Sequence, residues 1–171
     1  MDAGLEQGLR LLLDKQEIRD RLMLLFRGLD RRDRDLILQA FHPGAISDHG
    51  SLRGSSVEMA DRVIGGSPSQ MMHFTGNHVA EVKGDRAFSE TYFVAIIETS
   101  EGGAVSTGFR AGRYLDQWER RDGAWKINLR VLVDDWSRSD PVSATVPGAG
   151  THRSLRSDGD LLYTLRAQMV G

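Results

Sequence analysis

The stretch from Ser69 to Val79 contains two of the chain's five histidines and is the first place where the sequence suggests chemistry. His73 stands just before a predicted strand, and Asn77 follows four residues later. An imidazole with an ordinary pKa of about 6.5 exchanges a proton near neutral pH, so His73 is a candidate general base at the mouth of a pocket. The same position equally suits a surface histidine in a loop. The choice depends on the partners that the rest of the chain supplies.

Arg130 is a second candidate, because it stands within a predicted strand that also contains Trp125, Ile127 and Leu129. Since side chains alternate between the two faces of a strand, Arg130 is expected on the face opposite these three residues. A guanidinium in an apolar strand needs an acidic partner or an anionic ligand. It would therefore stabilise an enolate or a departing anion, or else form an ordinary salt bridge, for example with Asp134.

Strand periodicity also separates the polar residues that follow His73. Asn77 has the same parity as His73 and is expected on the same face, where it would hydrogen-bond a substrate or the backbone. His78 has the opposite parity and is expected to face away, in a structural role or at an interface. His42 and His49 flank turns, and their spacing matches no common metal-binding motif. We therefore expect no metal site.

Composition excludes several other kinds of site. The 171-residue chain contains no cysteine, which rules out disulfides, thiol nucleophiles and cysteine metal ligands. Its 22 basic and 24 acidic residues give a formal charge of −2, which offers no electrostatic case for binding nucleic acid or an anionic membrane. No serine stands in a Gly-x-Ser-x-Gly elbow, and the Gly-Gly pairs at 65–66 and 102–103 do not precede helices as a phosphate-binding loop would.

The N-terminus does not resemble a targeting segment. Met1–Glu6 lacks a basic segment followed by an apolar stretch, so it does not match a secretory signal. The strongly apolar run Leu22–Phe26 is too short to cross a bilayer. These features predict a cytoplasmic protein.

The spacing of apolar residues changes once along the chain, from a helical period to the period of strands. Before the change, apolar residues at helical spacing predict helices over residues 9–29, 34–41 and about 56–64. After it, alternating patterns separated by glycine-containing turns predict strands over residues 74–83, 86–98, 105–120 and 124–134. The pattern also allows a short strand at 45–48 and a short helix at 160–169.

Three helices followed by a four-stranded antiparallel meander indicate an α+β fold. A twisted antiparallel sheet can curve into a cone, and helices covering its concave face leave a hydrophobic pocket at the open end. We expect one such domain over residues 1–136. Residues 137–171, rich in Pro, Gly and Ser, are expected to be a tail of the same domain that wraps around it or stays partly flexible. The apolar outer face of a curved sheet predicts a homo-oligomer.

Several motifs resemble the SnoaL-like branch of the nuclear transport factor 2-like superfamily, in the same order and at similar spacing. They are Leu24–Asp30 with Ile18 before it, Phe41–His42, His73–Asn77, Gly112–Asp116 and Trp118–Arg130. The resemblance extends from Leu9 to Trp136 and implies the cone-shaped α+β barrel. Members of this superfamily include dehydratases, dehydrohalogenases, isomerases, cyclases and non-catalytic subunits, so the fold does not select a reaction.

The resemblance also implies roles for particular residues. Lyases of this branch use an Asp–His pair, and the matching positions are Asp30 at the end of the first helix and His73 at the entry to the sheet. Dehydrochlorinase-like members add an arginine five residues after the hairpin tryptophan, where Arg130 stands. The lyases also tend to carry a Tyr or Lys five residues before the Asp, whereas this chain has Leu25. The base is kept, and a known electrophilic helper is missing.

The resulting hypothesis is a cofactor-independent, metal-free lyase, similar to a dehydratase, that acts on a small hydrophobic and cyclic molecule. His73 would abstract a carbon-bound proton while Asp30 orients its imidazole, and Arg130 with Asn77 would stabilise negative charge. An isomerase or a polyketide-cyclase-like enzyme would use the same first step. A non-catalytic ligand-binding or assembly module, like the small subunits of ring-hydroxylating dioxygenases, is the alternative that Leu25 favours.

Aromatic side chains are candidates to line the pocket, although aromatic residues in a sheet belong to the core about as often. The candidates are Phe26, Tyr92, Phe93, Tyr114 and Trp136. The expected partner is a small hydrophobic molecule. Resemblance to the lyases favours a homotrimer, whereas other branches of the superfamily form dimers.

Overall fold

The computed structural model describes residues 2–66, 70–101, 103–141 and 151–170, without the side chains of residues 100 and 101. Within these ranges the helices are α1 (Ala3–Arg31), α2 (Arg34–Gln39), α3 (Ser56–Gly65) and α4 (Leu161–Val170). The strands are β1 (Phe41–His49), β2 (Leu52–Ser55), β3 (Gln70–Lys83), β4 (Arg86–Glu101), β5 (Ala104–Arg121) and β6 (Ala124–Pro141). None of the described helices combines the length and the apolarity needed to cross a membrane.

Helix α1 is longer than predicted, because it starts at Ala3, six residues before the predicted start at residue 9, with Asp2 as its N-cap. From Ile18 onward the stripe is buried and packs against the sheet through Leu22, Leu25 and Phe26, whereas its N-terminal leucines, Leu9, Leu11 and Leu12, are exposed. The helix ends where Arg32 adopts a left-handed conformation, with φ of 55°, and its N–H donates to the carbonyl of Gly28. This end places Asp30 in the last turn of α1.

The strands form one curved, unclosed sheet in the order β2-β1-β6-β5-β4-β3. Neighbouring strands are antiparallel except β1 and β6, which run parallel. The concave face carries the core under α1, including the buried side chains of Phe93, Tyr114, Trp118, Trp125 and Ile127. The structure confirms the predicted α+β cone with three N-terminal helices.

The region between α2 and α3 differs from the prediction. Helix α2 ends at Gln39, and β1 starts at Phe41 and includes Pro43 and Gly44. Gly44 has a φ of +79°, and it lies in the part of β1 where the pairing with β6 is irregular. Residues 42–44, which the sequence places at a turn, are therefore an irregular part of strand β1. Residues 52–55 form β2, and α3 begins directly after it, where Ser55 and Glu58 form a capping box.

Irregular pairing in β3 reverses the expected orientation of its polar residues. The register shifts between Thr75 and His78, so two residues are accommodated where regular pairing allows one. His78 therefore turns to the concave side, where its Nδ1 lies 2.9 Å from the hydroxyl of buried Thr91. Asn77 lies in the bulge and is exposed. The expectation that Asn77 shares the face of His73 and that His78 faces away is wrong.

A second bulge, in β6, changes the expected orientation of Arg130. Gln117 pairs with Leu129 and Trp118 pairs with Ile127, so Asn128 is an extra residue. Beyond this bulge Arg130 faces the concave side, the same side as Trp125 and Ile127. The prediction that Arg130 faces away from Trp125 and Ile127 is wrong because the bulge interrupts the alternation of side chains, whereas Leu129, after the bulge, does lie on the opposite face.

The C-terminal residues follow β6, which continues to Pro141 and so past the predicted boundary at residue 136. Residues 142–150 of the predicted tail lie outside the described ranges. Residues 151–170 end in α4, close to the short helix predicted at 160–169, and they pack against the end of α1.

The convex face of the sheet carries large exposed apolar side chains. Met72, Phe74 and Trp136 are 52%, 67% and 72% exposed, in the protomer considered alone. A surface of this kind is typical of an interface. The homo-oligomer, and the trimer in particular, stays a prediction.

Gly112→Ala should destabilise the fold. Gly112 borders the β5–β6 bulge, and a Cβ at this position would overlap the carbonyl oxygen of Val133, a backbone atom that cannot move alone. We expect a loss of about 1–3 kcal/mol in the free energy of unfolding, measured by urea denaturation. Gly76→Ala is the matched control, because its Cβ would lie 3.9 Å from the Cβ of Tyr92. Equal losses in the two variants would contradict the explanation.

Candidate active site

A cavity of about 150 Å³ lies between the helices and the concave face of the sheet. Its wall is mostly apolar and includes Leu25 and Leu29 of α1 and Met59 of α3. A cavity of about this volume accommodates one benzene-sized ring. The polar side chains in its wall are Ser47, His49, His73, Arg110 and Arg130, together with the hydroxyl-bearing Tyr114.

Asp30 and His73 are joined by two hydrogen bonds. The Nδ1 of His73 lies 2.7 Å from Asp30 Oδ1, and the backbone N–H of His73 donates to Asp30 Oδ2 at 3.0 Å. An ionised carboxylate only accepts hydrogen bonds, so Nδ1 carries the proton and Nε2 keeps its lone pair. The two side chains are only 6% and 15% exposed, for His73 and Asp30 respectively. The two contacts fix the orientation of the His73 imidazole.

Aromatic rings hold the His73 imidazole in place. The ring of Phe26 lies 5.2 Å from it and the ring of Phe93 lies 6.5 Å away, between centroids. Tyr114 continues this aromatic wall, at 4.5 Å from Phe93. Burial raises the pKa of Tyr114 to about 12, so its phenol keeps its proton at neutral pH.

Arg130 is fully paired with a carboxylate beneath the cavity. Its Nε and Nη2 donate to the two oxygens of Asp116 at 2.7 and 2.8 Å, and the side chains are 3% and 0% exposed. The guanidinium also lies 4.3 Å from the ring centroid of Tyr114 and 5.5 Å from that of Phe26. Arg130 therefore adds N–H donors to the cavity wall, while Asp116 balances its charge.

His49 is a second histidine of the cavity. Its Nε2 lies 3.1 Å from the hydroxyl of Ser47, and its ring is 6.4 Å from that of Tyr114. Burial, and then the charges of Arg130 and Arg110, lower the pKa of His49 to about 4. At neutral pH this imidazole is uncharged, with one nitrogen that donates and one that accepts.

The structure brings together six of the predicted site residues. His73, Arg130 and Tyr114 line the cavity, Asp30 is hydrogen-bonded to His73, and Phe26 packs against the rings of His73 and Tyr114. The predicted lining residue Phe93 also faces the cavity.

The other predicted site residues lie outside the cavity. Asn77 is exposed in the β3 bulge. Tyr92 precedes the inward-facing Phe93, so strand alternation places it on the convex face, where Arg113 lies 5.9 Å from its ring centroid. Trp136 is 72% exposed, and pairs with Ala111 beyond the second irregularity of β6. None of these three side chains lines the cavity.

Sequence reasoning misses Ser47, His49 and Arg110. The sequence places His49 at a turn, because Pro43 and Gly44 are residues typical of turns and make β1 look shorter than it is. Alternation in the longer strand, with Ala45, Ser47 and His49 facing the core, is the signal that would have found it. Arg110 stands in a predicted strand between Phe109 and Ala111, and no motif distinguishes it from an ordinary strand arginine.

Asp116→Ala should strongly destabilise the protein, because it leaves the buried Arg130 charge without its partner. We expect a loss of about 3–5 kcal/mol in the free energy of unfolding. Asp134→Ala removes the partner of Arg110, whose side chain is 34% exposed, and should cost about 0–1 kcal/mol. Chemical denaturation of both variants tests this, and similar losses would show that Arg130 is not held in a low-dielectric environment.

His49 should make the fold less stable in mild acid. Its pKa is about 4 in the folded protein and about 6.5 in the unfolded chain, so the unfolded chain binds more protons between these values. The stability that neutral His49 provides is complete above pH 6.5 and is lost as the pH falls towards 4. Between pH 7 and 5 the wild type should lose about 1–2 kcal/mol more than His49→Gln. An NMR titration of His49 with a midpoint near 6.5 would contradict this.

The chain matches known proteins at the level of family and fold. Residues 10–131 match the model of the SnoaL-like domain. No curated protein matches the chain. Hexachlorocyclohexane dehydrochlorinase (LinA) type 2 has a similar structure, with a TM-score of 0.73 and 18% identity over 84% of this chain and 99% of that chain.

Two further solved structures extend the comparison. The dehydrochlorinase LinA type 3 from Novosphingobium barchaimii has a TM-score of 0.70 and 22% identity, over 82% of this chain and 99% of that chain. A candidate scytalone dehydratase from Novosphingobium aromaticivorans has a TM-score of 0.67 and 17% identity, over 82% and 97%. At these identities the likeness concerns the fold. Because the family model covers most of the chain, this protein belongs to the SnoaL-like domain family.

Proposed function

We propose that this protein is a cofactor-independent lyase that removes a carbon-bound proton from a small, cyclic and mainly apolar molecule and expels a leaving group. The observation that carries the proposal is the double hydrogen bond from His73 to Asp30, in which a buried carboxylate leaves Nε2 of the imidazole as the basic atom. Dehydrochlorinases and a candidate dehydratase among the structural neighbours support this reaction class.

The first step is proton transfer from carbon to His73. Nε2 takes the proton, and the electrons of the broken C–H bond form a carbon–carbon double bond or an enolate. The imidazolium that results is stabilised by the Asp30 carboxylate 2.7 Å from Nδ1. Aromatic contacts with Phe26 and Phe93 limit rotation of the ring, so the base keeps its orientation.

The second step is departure of the leaving group with its bonding electrons. When the group is a hydroxyl, the proton held on His73 can return to it, so that water leaves and the base is regenerated. Arg130 and the neutral Tyr114 phenol provide N–H and O–H donors to the developing anion. His49 is uncharged at neutral pH and supplies a further N–H donor in the cavity wall. Leu25, which lines the same cavity, has no polar group.

The size and polarity of the cavity define the substrate class. A volume of about 150 Å³ suits one ring, and the apolar wall favours a ring with few polar substituents. The polar groups suit a carbonyl or hydroxyl oxygen, or a halide, on that ring. Isomerisation and cyclisation begin with the same proton transfer and belong to the same proposal.

A ligand-binding module without catalysis is the second candidate. Leu25 favours it, because this side chain is 1% exposed and lines the cavity at the position where lyases of this branch tend to carry a Tyr or Lys. Such a protein would bind the same apolar ring and leave its C–H bonds intact.

Deuterium incorporation from D₂O tests the proposal without knowledge of the product. Wild type is incubated with small cyclic ketones, including β-hydroxy and β-halo derivatives, and proton NMR follows loss of the C–H signal and elimination. His73→Ala and Asp30→Asn should slow the reaction by about 10²–10⁴-fold, since the amide introduced by Asp30→Asn would donate to Nδ1 and shift the ring proton to Nε2. His152→Ala, at an exposed histidine, is the control and should not change the rate.

The melting temperature separates catalysis from folding. Both site variants should remain folded at the assay temperature, with a melting temperature lowered by several degrees, because each alters the buried contact between residues 30 and 73. A panel compound that raises the melting temperature of wild type without deuterium exchange or elimination would favour the binding module. Equal rates for wild type and His73→Ala would refute the role of His73 as the base.

A further inference from the structure

The C-terminal segment of residues 151–170 contacts both elements that carry the Asp30–His73 pair. Arg156 donates from Nη2 to the carbonyl of Leu29 at 2.9 Å and from Nε to the carbonyl of Asp30 at 3.2 Å. At the start of β3, the Gln70 side chain donates to the carbonyl of Ser154 at 3.2 Å. The segment therefore joins the end of α1 to the strand that positions His73.

Arg156 contacts groups that a helix cannot satisfy internally. The last carbonyls of α1 have no N–H partners within the helix, and they form its negative end, which favours a cation. Arg156 is buried, with only 8% of the residue exposed. Burial, and then the charge of Arg32, lower the pKa of Arg156 to about 10, so it stays protonated at neutral pH.

The turn that carries Arg156 is itself fixed. The Asp160 carboxylate accepts the backbone N–H groups of Leu155 at 2.8 Å and Leu162 at 3.1 Å, on either side of the turn. The Tyr163 hydroxyl donates to Asp33 at 3.2 Å, at the start of α2. Arg156 thus contacts α1 from a turn that several hydrogen bonds hold in place.

We propose that Arg156 is a positioning residue for Asp30. Asp30 must meet two donors of His73 at once, the backbone N–H and the ring N–H, and both contacts depend on the placement of the last turn of α1. That turn ends at left-handed Arg32, where regular helix bonding stops. By binding the carbonyls of Leu29 and Asp30, Arg156 holds the turn at the distance at which both hydrogen bonds form.

The effect of Arg156 on catalysis rests on the proposed function, whereas its effect on the position of Asp30 does not. A general base that is misplaced by about 1 Å loses on the order of 10²-fold in rate. Loss of Arg156 should therefore lower turnover mainly through kcat, because the apolar wall that binds the substrate stays in place. The exchange rate of the His73 backbone amide reports the same contact without any substrate.

Amide hydrogen exchange by NMR tests the proposal in the full chain. Arg156→Met keeps most of the side-chain volume and removes the guanidinium, and we expect the His73 amide to exchange about tenfold faster or more. Arg156→Lys keeps the charge and should restore part of the protection. Arg153→Met alters an exposed arginine of the same segment and should leave the exchange rate unchanged. Asp30→Ala defines the rate for a complete loss of the contact.

Amides in the core, such as those of Tyr114 and Trp118, distinguish local from global effects. Faster exchange at His73 with unchanged core amides supports the proposal, and partial rescue by Arg156→Lys strengthens it. Unchanged exchange at His73 in Arg156→Met overturns it, as does an equal acceleration at every amide. Absence of turnover in wild type would refute the lyase function and leave the exchange result intact.

Discussion

The contact between Asp30 and His73 is the constraint on which the site depends. One carboxylate accepts both the backbone and the ring N–H of the same histidine, and so joins the end of α1 to the start of β3. These two residues are 43 positions apart in the chain, so no local pattern brings them together. A carboxylate in an apolar setting is stable when its oxygens are hydrogen-bonded, so the requirement that stabilises Asp30 also orients the imidazole of His73.

A second buried pair supports the opposite wall of the cavity. Arg130 and Asp116 form a two-point contact at full burial, and three aromatic rings lie within 6.0 Å of the guanidinium. Pairs of this kind need complete hydrogen bonding to offset desolvation, which restricts the packing of β5 against β6. The polar groups of the cavity are therefore held by stabilising contacts of the fold itself, in a wall that is otherwise apolar.

Membership of the SnoaL-like family agrees with this arrangement and leaves the reaction to the details of the cavity. Leu25 makes the helix side of the cavity apolar, while β1 brings in Ser47 and His49 from the other side. Burial keeps His49 neutral at physiological pH, so it adds a hydrogen-bonding group without a charge. The polar groups of the cavity thus depend in part on β1, and the motifs that resemble the family include only the first two residues of this strand.

Local sequence patterns were sufficient to predict the α+β cone, its three helices and four long strands, because apolar periodicity and turn residues act over short distances. Resemblance to the family added the pairing of Asp30 with His73, with Arg130 nearby. Which side chains face the cavity was decided by the packing of the sheet. The bulges at residues 76–77 and at Asn128 shift the alternation of side chains, so they turn His78 and Arg130 inward and leave Asn77 outside. A bulge arises from pairing with a neighbouring strand, and the length of β1 and the contact of Arg156 with α1 likewise depend on distant partners that no local pattern contains.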